Sequence, residues 1–341
     1  MIYRSRAPLR IGLAGGGTDV SPYSDEFGGA ILNATISLYA NASIEPLSEN
    51  GIILQSLDQK QEQRFEWANQ LAIDGKLDLL KGVYNRIQKD YGLPMTNFRL
   101  CTYVDAAAGS GLGTSSTLVV AILGAFVEML KLPLGDYDIA HYAFEIERKD
   151  LQFAGGKQDQ YAATFGGVNY MEFYSDDKVI VNPLRIRQEY LNELENNLVL
   201  YFTSTSRESA TIIKEQQKNV KEKNESSIEA MHQLKEQARM MKEALLKGRL
   251  HEFGEILDFG FEQKRKMAHN ISNDTIEKIY EAAKKSGATG GKISGAGGGG
   301  FMTFYCPGNT RYKVMETLNN FGGIVKPYQF AKHGLTTWTA N

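Results

Sequence analysis

The segment Ala106-Ala107-Ala108-Gly109-Ser110-Gly111-Leu112-Gly113-Thr114-Ser115-Ser116-Thr117 runs without a break into the apolar stretch Leu118 to Val127. An extended piece, Phe98 to Val104, precedes it and a helical one, Ser115 to Leu130, follows, so the glycines lie in a loop that opens onto a helix. Glycine lets the backbone take positive φ and approach a ligand closely. Unpaired N–H groups and the positive end of the helix dipole then face outward together, an arrangement suited to phosphate. Thr114, Ser115 and Ser116 add hydroxyls that can reach phosphate or a hard cation.

Two more glycine clusters bracket the chain. Gly295-Ala296-Gly297-Gly298-Gly299-Gly300 follows Lys292-Ile293-Ser294 and leads into the alternating strand pattern Phe301 to Tyr305. A flexible linker of this composition would join polar segments, whereas this one sits between a helix ending near Gly287 and an apolar strand, and so reads as a tight loop. Near the N-terminus, Arg10-Ile11-Gly12-Leu13-Ala14-Gly15-Gly16-Gly17-Thr18-Asp19 ends in an acid. The P-loop pattern fails at both Gly-Lys pairs: Gly291-Lys292 has Ser286 and Ile293, and Gly156-Lys157 has Leu151 and Gln158, where a glycine and a hydroxyl belong. The first cluster does not keep the G-x-G-x-x-G spacing of a dinucleotide fold either, which disfavours a dehydrogenase.

At 341 residues with 42% hydrophobic content, the chain can bury a large core and suggests two packed domains. Its net charge of −2 offers no basic excess for nucleic acid. The longest apolar run falls short of the ~20 residues of a membrane span, and Arg4, Arg6 and Arg10 leave no room for a secretory signal, so a cytoplasmic enzyme without a membrane partner is expected. Cys101 and Cys306 are far apart in sequence and read as free thiols; the five histidines show no metal-binding spacing.

Extended segments (Tyr3 to Leu13, Ala30 to Ile44, Gly51 to Leu57) alternate with helical ones (Leu77 to Tyr91, Asp136 to Lys149), a mixed α/β or α+β pattern. From Ser209 to Gly248 the chain reads as one charged amphipathic helix, with Ile228, Met231, Leu234, Ala238, Met241 and Leu245 stepping by three and four. Strands are expected at Phe301 to Tyr305 and Ile324 to Phe330, flanking a helix around Tyr312 to Asn319, and the domain boundary falls near residues 185 to 205.

The three clusters, in this order and spanning nearly the whole chain, resemble the three motifs of the GHMP small-molecule kinases. Those motifs are Ala7-Pro8-Leu9-Arg10-Ile11 through Thr18-Asp19, then Gly109 to Ser116, then Lys292 to Phe301. Within that superfamily, Gly15-Gly16-Gly17-Thr18-Asp19-Val20, Ala154-Gly155-Gly156-Lys157-Gln158-Asp159-Gln160-Tyr161-Ala162-Ala163 and Ser206-Arg207-Glu208-Ser209 are most similar to the D-glycero-D-manno-heptose 7-phosphate kinases. Galactokinases usually carry Gly-Glu-His before the Thr-Asp pair, where this chain has Gly15-Gly16-Gly17. The resemblance implies a two-domain α+β GHMP kinase fold. Residues 1–195 would form an N-terminal domain with a left-handed β-α-β unit and the nucleotide and metal site, and residues 196–341 a ferredoxin-like C-terminal domain.

It also implies roles. Gly109, Ser110, Gly111, Leu112, Gly113, Thr114, Ser115 and Ser116 would wrap the phosphates of ATP, backed by Gly295, Gly297 and Gly298. Ser115 and Glu147 would hold Mg²⁺, with Glu145 an alternative acid, and either glutamate could simply be an exposed helical partner of Arg148 or Lys149. Asp159 would face the acceptor hydroxyl as general base, unless it caps a helix, and Arg10 would balance the charge beside it. Thr18 and Asp19 would contact sugar hydroxyls, and Arg207 the phosphate of a sugar phosphate, with Lys157 and Arg148 as further candidates. The activity implied is ATP-dependent phosphorylation of D-glycero-D-manno-heptose 7-phosphate at its anomeric hydroxyl. A kinase of an unphosphorylated sugar of the fucose or galactose type, or a non-catalytic sugar or nucleotide sensor on the same scaffold, remains open.

Overall fold

The computed structural model describes residues 1–93, 97–204 and 209–341. Two long strands, Ile2–Ala14 and Gly29–Pro46, form the antiparallel spine of the first sheet. The second is long enough to serve two neighbours: its start pairs with Val168–Phe173 and its end with Phe98–Val104. Phe98–Val104 runs parallel to Ile52–Ser56, so the chain between them must cross over the sheet, and it does so through the strand Gln61–Phe65 and the helix Asp78–Tyr91. Thr114–Leu130 is buried on nearly every face, which explains why it is apolar all round. Gly124 in its middle has a packing reason: an added Cβ would lie 2.7 Å from Leu335 Cδ1.

The second sheet holds Leu198–Phe202, Gly290–Ile293, Phe301–Tyr305 and Ile324–Val325, all antiparallel, with the first of these between the fourth and the third. Four helices, Ser209–Lys221, Glu225–Leu246, Phe253–Met267 and Asp274–Ser286, connect its first two strands, and Arg311–Asn319 connects the last two. This is the ferredoxin-like β-α-β-β-α-β order, with an enlarged first crossover.

The second sheet begins at Leu198, close to the expected boundary of the 1–195 and 196–341 division, but the chain end returns to the first sheet. Phe330 bridges Ile36, and Thr336–Ala340 joins the first sheet beside Ile2–Arg6. The closing segment is seated by two glycines, because Gly166 and Gly334 bring their backbones too close for a side chain on either. The two units also share a core, in which Leu9, Leu13 and Leu32 meet Ala238, Met241 and Leu257.

Three local expectations change. The helix read from Ser209 to Gly248 is broken in two, because Lys223 takes φ 55° and the Asn224 side chain accepts the Ser227 N–H at 3.0 Å, capping a new helix. The strand Ile324 to Phe330 shortens to Ile324–Val325, just ahead of Pro327, which has no N–H to give a sheet. The helix Asp136 to Lys149 is α-helical only to Glu145 and then widens into a π-turn, Ile146–Asp150, with the Leu151 N–H on Ile146 O at 3.0 Å. Such turns recur at functional sites, and this one carries Glu147. No helix among the described residues is long and apolar enough to cross a membrane.

Candidate active site

Gly109, Gly111 and Gly113 have φ of 73°, 86° and 76°, a conformation that favours glycine at each position. The third cluster backs this loop at backbone distance. A Cβ on Gly111 would lie 2.8 Å from Ser294 O, one on Gly295 would lie 2.8 Å from Gly111 Cα, and the Phe301 N–H donates to Ser110 O at 2.9 Å. Gly297 and Gly298 do something else: both are buried against Ile271, whose carbonyl accepts the Gly298 N–H at 2.8 Å, so of the three glycines only Gly295 lines the cavity. Ser110 and Leu112 are buried beneath the loop, and the side-chain oxygens of Ser110 and Ser294 have no hydrogen-bond partner among the described residues.

The loops enclose a cavity of about 420 Å³ lined by Gly109, Gly111, Gly113, Thr114, Ser115 and Ser116 and by the charged groups that follow. Asp159 sits in the first turn of Gln158–Phe165 beside Gly113, whose added Cβ would come within 3.1 Å of its carboxyl carbon. Arg10 is buried, donates from Nε to Asp159 Oδ1 at 2.7 Å and from Nη1 to Gly111 O at 2.6 Å, and so ties the acid to the phosphate loop. Asp159 does not cap its helix. That task falls to Asp19, whose Oδ2 accepts the Gln158 N–H at 3.1 Å. Asp19 is buried at the cavity wall, and burial pushes its carboxyl above the usual range. Thr18 is corrected outright: its hydroxyl donates to Gly15 O at 2.8 Å and accepts the Ala30 N–H at 3.1 Å, fully buried, clasping the first glycine loop to the sheet instead of facing a sugar.

The two candidate metal acids separate cleanly. Glu145 points to Arg86 at 2.7 Å and Lys149 at 3.1 Å, away from the loops. Glu147 is buried at the cavity, where Oε2 accepts from Ser116 at 2.6 Å and Gln160 at 2.7 Å, and Oε1 meets Arg148 at 3.1 Å. Ser116, not Ser115, therefore holds the carboxylate, while Ser115 lines the open cavity. Among the described residues no group of three or more His, Cys, Asp or Glu could hold a metal by itself. Mg²⁺ asks for less, one or two carboxylates completed by phosphate oxygens and water, and Glu147 with the serine hydroxyls fits that donor set.

Arg148 and Lys157 are committed to the protein. Arg148 also donates to Gly156 O at 3.2 Å, and Lys157 lies buried between Asp25 at 3.2 Å and Asp177 at 3.1 Å. Arg207 falls outside the described residues.

Two residues given no role above line the same cavity, Lys264 and, at the start of the third motif, Lys292. Lys264 lies on the buried face of Phe253–Met267, in step with Phe253, Leu257 and Phe261, and Lys292 is in the buried strand Gly290–Ile293. Burial pushes the Lys264 ammonium down to about 8, and pushes Lys292 well below the lysine range, each helped by neighbouring cations. A lysine at an apolar position of its element was the available signal.

Residues 78–167 match the family described as GHMP kinases N terminal domain, and residues 241–323 match GHMP kinases C terminal. The chain is 47% identical over 335 residues to a D-glycero-alpha-D-manno-heptose 7-phosphate kinase of Campylobacter jejuni, spanning 98% of each. Its fold superposes with a TM-score of 0.86 on a crystal structure named as a D-glycero-D-manno-heptose 1-phosphate kinase of Bacteroides thetaiotaomicron, 47% identical over 99% of both chains. A Lactococcus lactis galactokinase complexed with galactose shares the fold at a TM-score of 0.77 and 18% identity, covering 98% of this chain and 95% of that one. The chain belongs to the GHMP kinases, and is an ATP-dependent small-molecule kinase.

Proposed function

We propose that the chain is a sugar-phosphate kinase that moves the γ-phosphoryl group of ATP to the anomeric hydroxyl of D-glycero-D-manno-heptose 7-phosphate, giving the 1,7-bisphosphate. The observation that carries this reading is the full-length identity with the Campylobacter jejuni heptose 7-phosphate kinase. The cavity is compatible with it: Lys264 and Lys292 give its wall a cationic character suited to two phosphorylated ligands. An ATP-consuming reaction is suited to the cytoplasm, which is the location proposed.

Phosphoryl transfer asks a protein to position the partners and neutralise charge more than to do covalent chemistry. The N–H groups of the loop from Gly109 to Ser116 cradle the phosphates. Asp159 accepts the hydrogen bond of the attacking hydroxyl and takes its proton as the bond to phosphorus forms, and Arg10 keeps the carboxylate oriented between loop and acceptor. Asp19 offers its remaining carboxylate capacity to sugar hydroxyls. Arg207 is the proposed anchor of the 7-phosphate. Glu147, Ser115 and Ser116 would hold Mg²⁺, which supplies charge neutralisation of the phosphates when bound.

Two measurements test this. Against heptose 7-phosphate, fucose, galactose and mevalonate, kcat/KM should favour heptose 7-phosphate by about 10⁴-fold, the scale on which a site built for a polar group rejects ligands lacking it. A preference for an unphosphorylated sugar would transfer the assignment to the fucose or galactose type. For the metal, Glu147→Gln should raise the Mg²⁺ concentration for half-maximal activity by about tenfold or more, while Glu145→Gln, engaged with Arg86 and Lys149, should leave it unchanged. The reverse order would move the metal acid to Glu145.

A further inference from the structure

Two buried lysine side chains face the cavity, with no carboxylate paired to either among the described residues. Lys264 Nζ donates to Gly295 O at 2.6 Å and Lys292 Nζ donates to Gly12 O at 2.7 Å. Both residues are buried, at 3% and 6% exposure, and neither forms an ion pair among the described residues. Arg10 acts on both and Asp19 on Lys264, and Glu147, Arg148, Asp159 and Lys214 line the same cavity. Asp159 is taken by Arg10, and Asp19 is turned to the Gln158 N–H, so the local anions are engaged elsewhere.

An ammonium carries three donors, and the carbonyl accounts for one on each lysine. Buried cations are ordinarily paired, because a lone charge taken out of water is costly. Here the depressed proton affinities register that cost, which an anionic ligand would relieve.

Gly16 shows where that ligand would sit. It lies at the cavity wall, and among the described residues beyond its chain neighbours a Cβ built on it would have two atoms within 4 Å, Lys264 Nζ at 3.5 Å and Lys292 Nζ at 3.9 Å. Unlike Gly15 and Gly17 it does not take positive φ, so its backbone does not call for glycine. The missing side chain keeps open the space on which both ammoniums converge.

We propose that Lys264 and Lys292, with Gly16 between them, form a paired-lysine seat for a phosphoryl group, brought by the nucleotide or by the acceptor sugar. The seat rests on reading the cavity as the phosphotransfer site, but its occupancy does not depend on which sugar is used. Three donors on tetrahedral nitrogen suit the oxygens of a phosphoryl group, which accepts hydrogen bonds from both lysines at once.

The test is the ammonium resonances of Lys264 and Lys292 in ¹⁵N-lysine-labelled full-length enzyme, assigned by their loss in K264M and K292R. Inorganic phosphate, MgATP and heptose 7-phosphate are added separately. Both resonances should shift with inorganic phosphate, and the apparent proton affinity of Lys264 should rise. A shift with MgATP assigns the seat to the nucleotide; a shift with heptose 7-phosphate assigns it to the acceptor. If inorganic phosphate shifts both while neither MgATP nor heptose 7-phosphate does, the seat stands and the reading of the cavity as the phosphotransfer site falls. For whichever ligand produces the shift, K264M should raise KM by at least about tenfold, K264R should recover part of it, and G16V, which fills the space, should reproduce the loss. Resonances that stay fixed with all three ligands overturn the proposal, whether or not K264M folds.

Discussion

Asp159→Asn should lower kcat by about 10²–10⁴-fold while leaving the KM for ATP within about twofold. The amide keeps the volume of the carboxylate, so the helix Gln158–Phe165 and the wall beside Gly113 keep their packing. What is lost is a base that can take the acceptor proton, and a charge that pairs with Arg10 at 2.7 Å. The same arginine holds Gly111 O at 2.6 Å, so the phosphate loop retains its own tie to Arg10 and nucleotide binding survives. Single-turnover measurement at saturating ATP separates the two effects. A folded variant with near-normal turnover would remove Asp159 from the chemistry.

Gly111→Ala should act on the nucleotide instead. At φ 86° an L side chain is strained, at roughly 1–3 kcal/mol for such a residue. The new Cβ would also sit 2.8 Å from Ser294 O and 3.0 Å from Ser294 C, both backbone atoms that cannot rotate away. The two glycine loops must then part, which displaces the N–H groups meant for phosphate. The KM for ATP should rise about tenfold or more, as 1.4 kcal/mol is tenfold in binding, and the melting temperature should fall. Gly308→Ala is the control: its φ of 62° carries comparable strain, but among the described residues nothing lies within 4 Å of the added atom, so it should cost stability without touching the KM for ATP. Equal KM values for the two variants would mean that loop-to-loop contact does not shape the nucleotide site.

The glycine loops, Arg10, Asp159 and Glu147 were legible because each announces itself locally, through a φ requirement, a motif or a position next to one. The family resemblance supplied their pairing, since nothing in spacing alone says that residue 10 meets residue 159. What stayed hidden depends on direction and closure. Thr18 carries the same hydroxyl whether it faces a sugar or, as here, Gly15 and Ala30. Gly297 looks like a further phosphate glycine but is small because Ile271 lies against it, and Gly298 takes φ 79° with its N–H on Ile271 O. Thr336–Ala340 alternates too weakly to announce a strand, and its place beside Ile2–Arg6 follows from the docking of Leu335 over Gly124. Lys264 was masked by its helix, where a long cationic side chain among apolar neighbours reads as an interruption of the face until the cavity at its tip is seen.

The most direct test of the account is the identity of the product formed from D-glycero-D-manno-heptose 7-phosphate and ATP, followed by ³¹P NMR with Mg²⁺ present. One new anomeric phosphate signal should grow in step with ADP while the 7-phosphate signal persists, abolished by Asp159→Asn and retained in Glu145→Gln. ADP formation without an anomeric phosphate, or an anomeric phosphate formed at full rate by the Asp159→Asn enzyme, would contradict it.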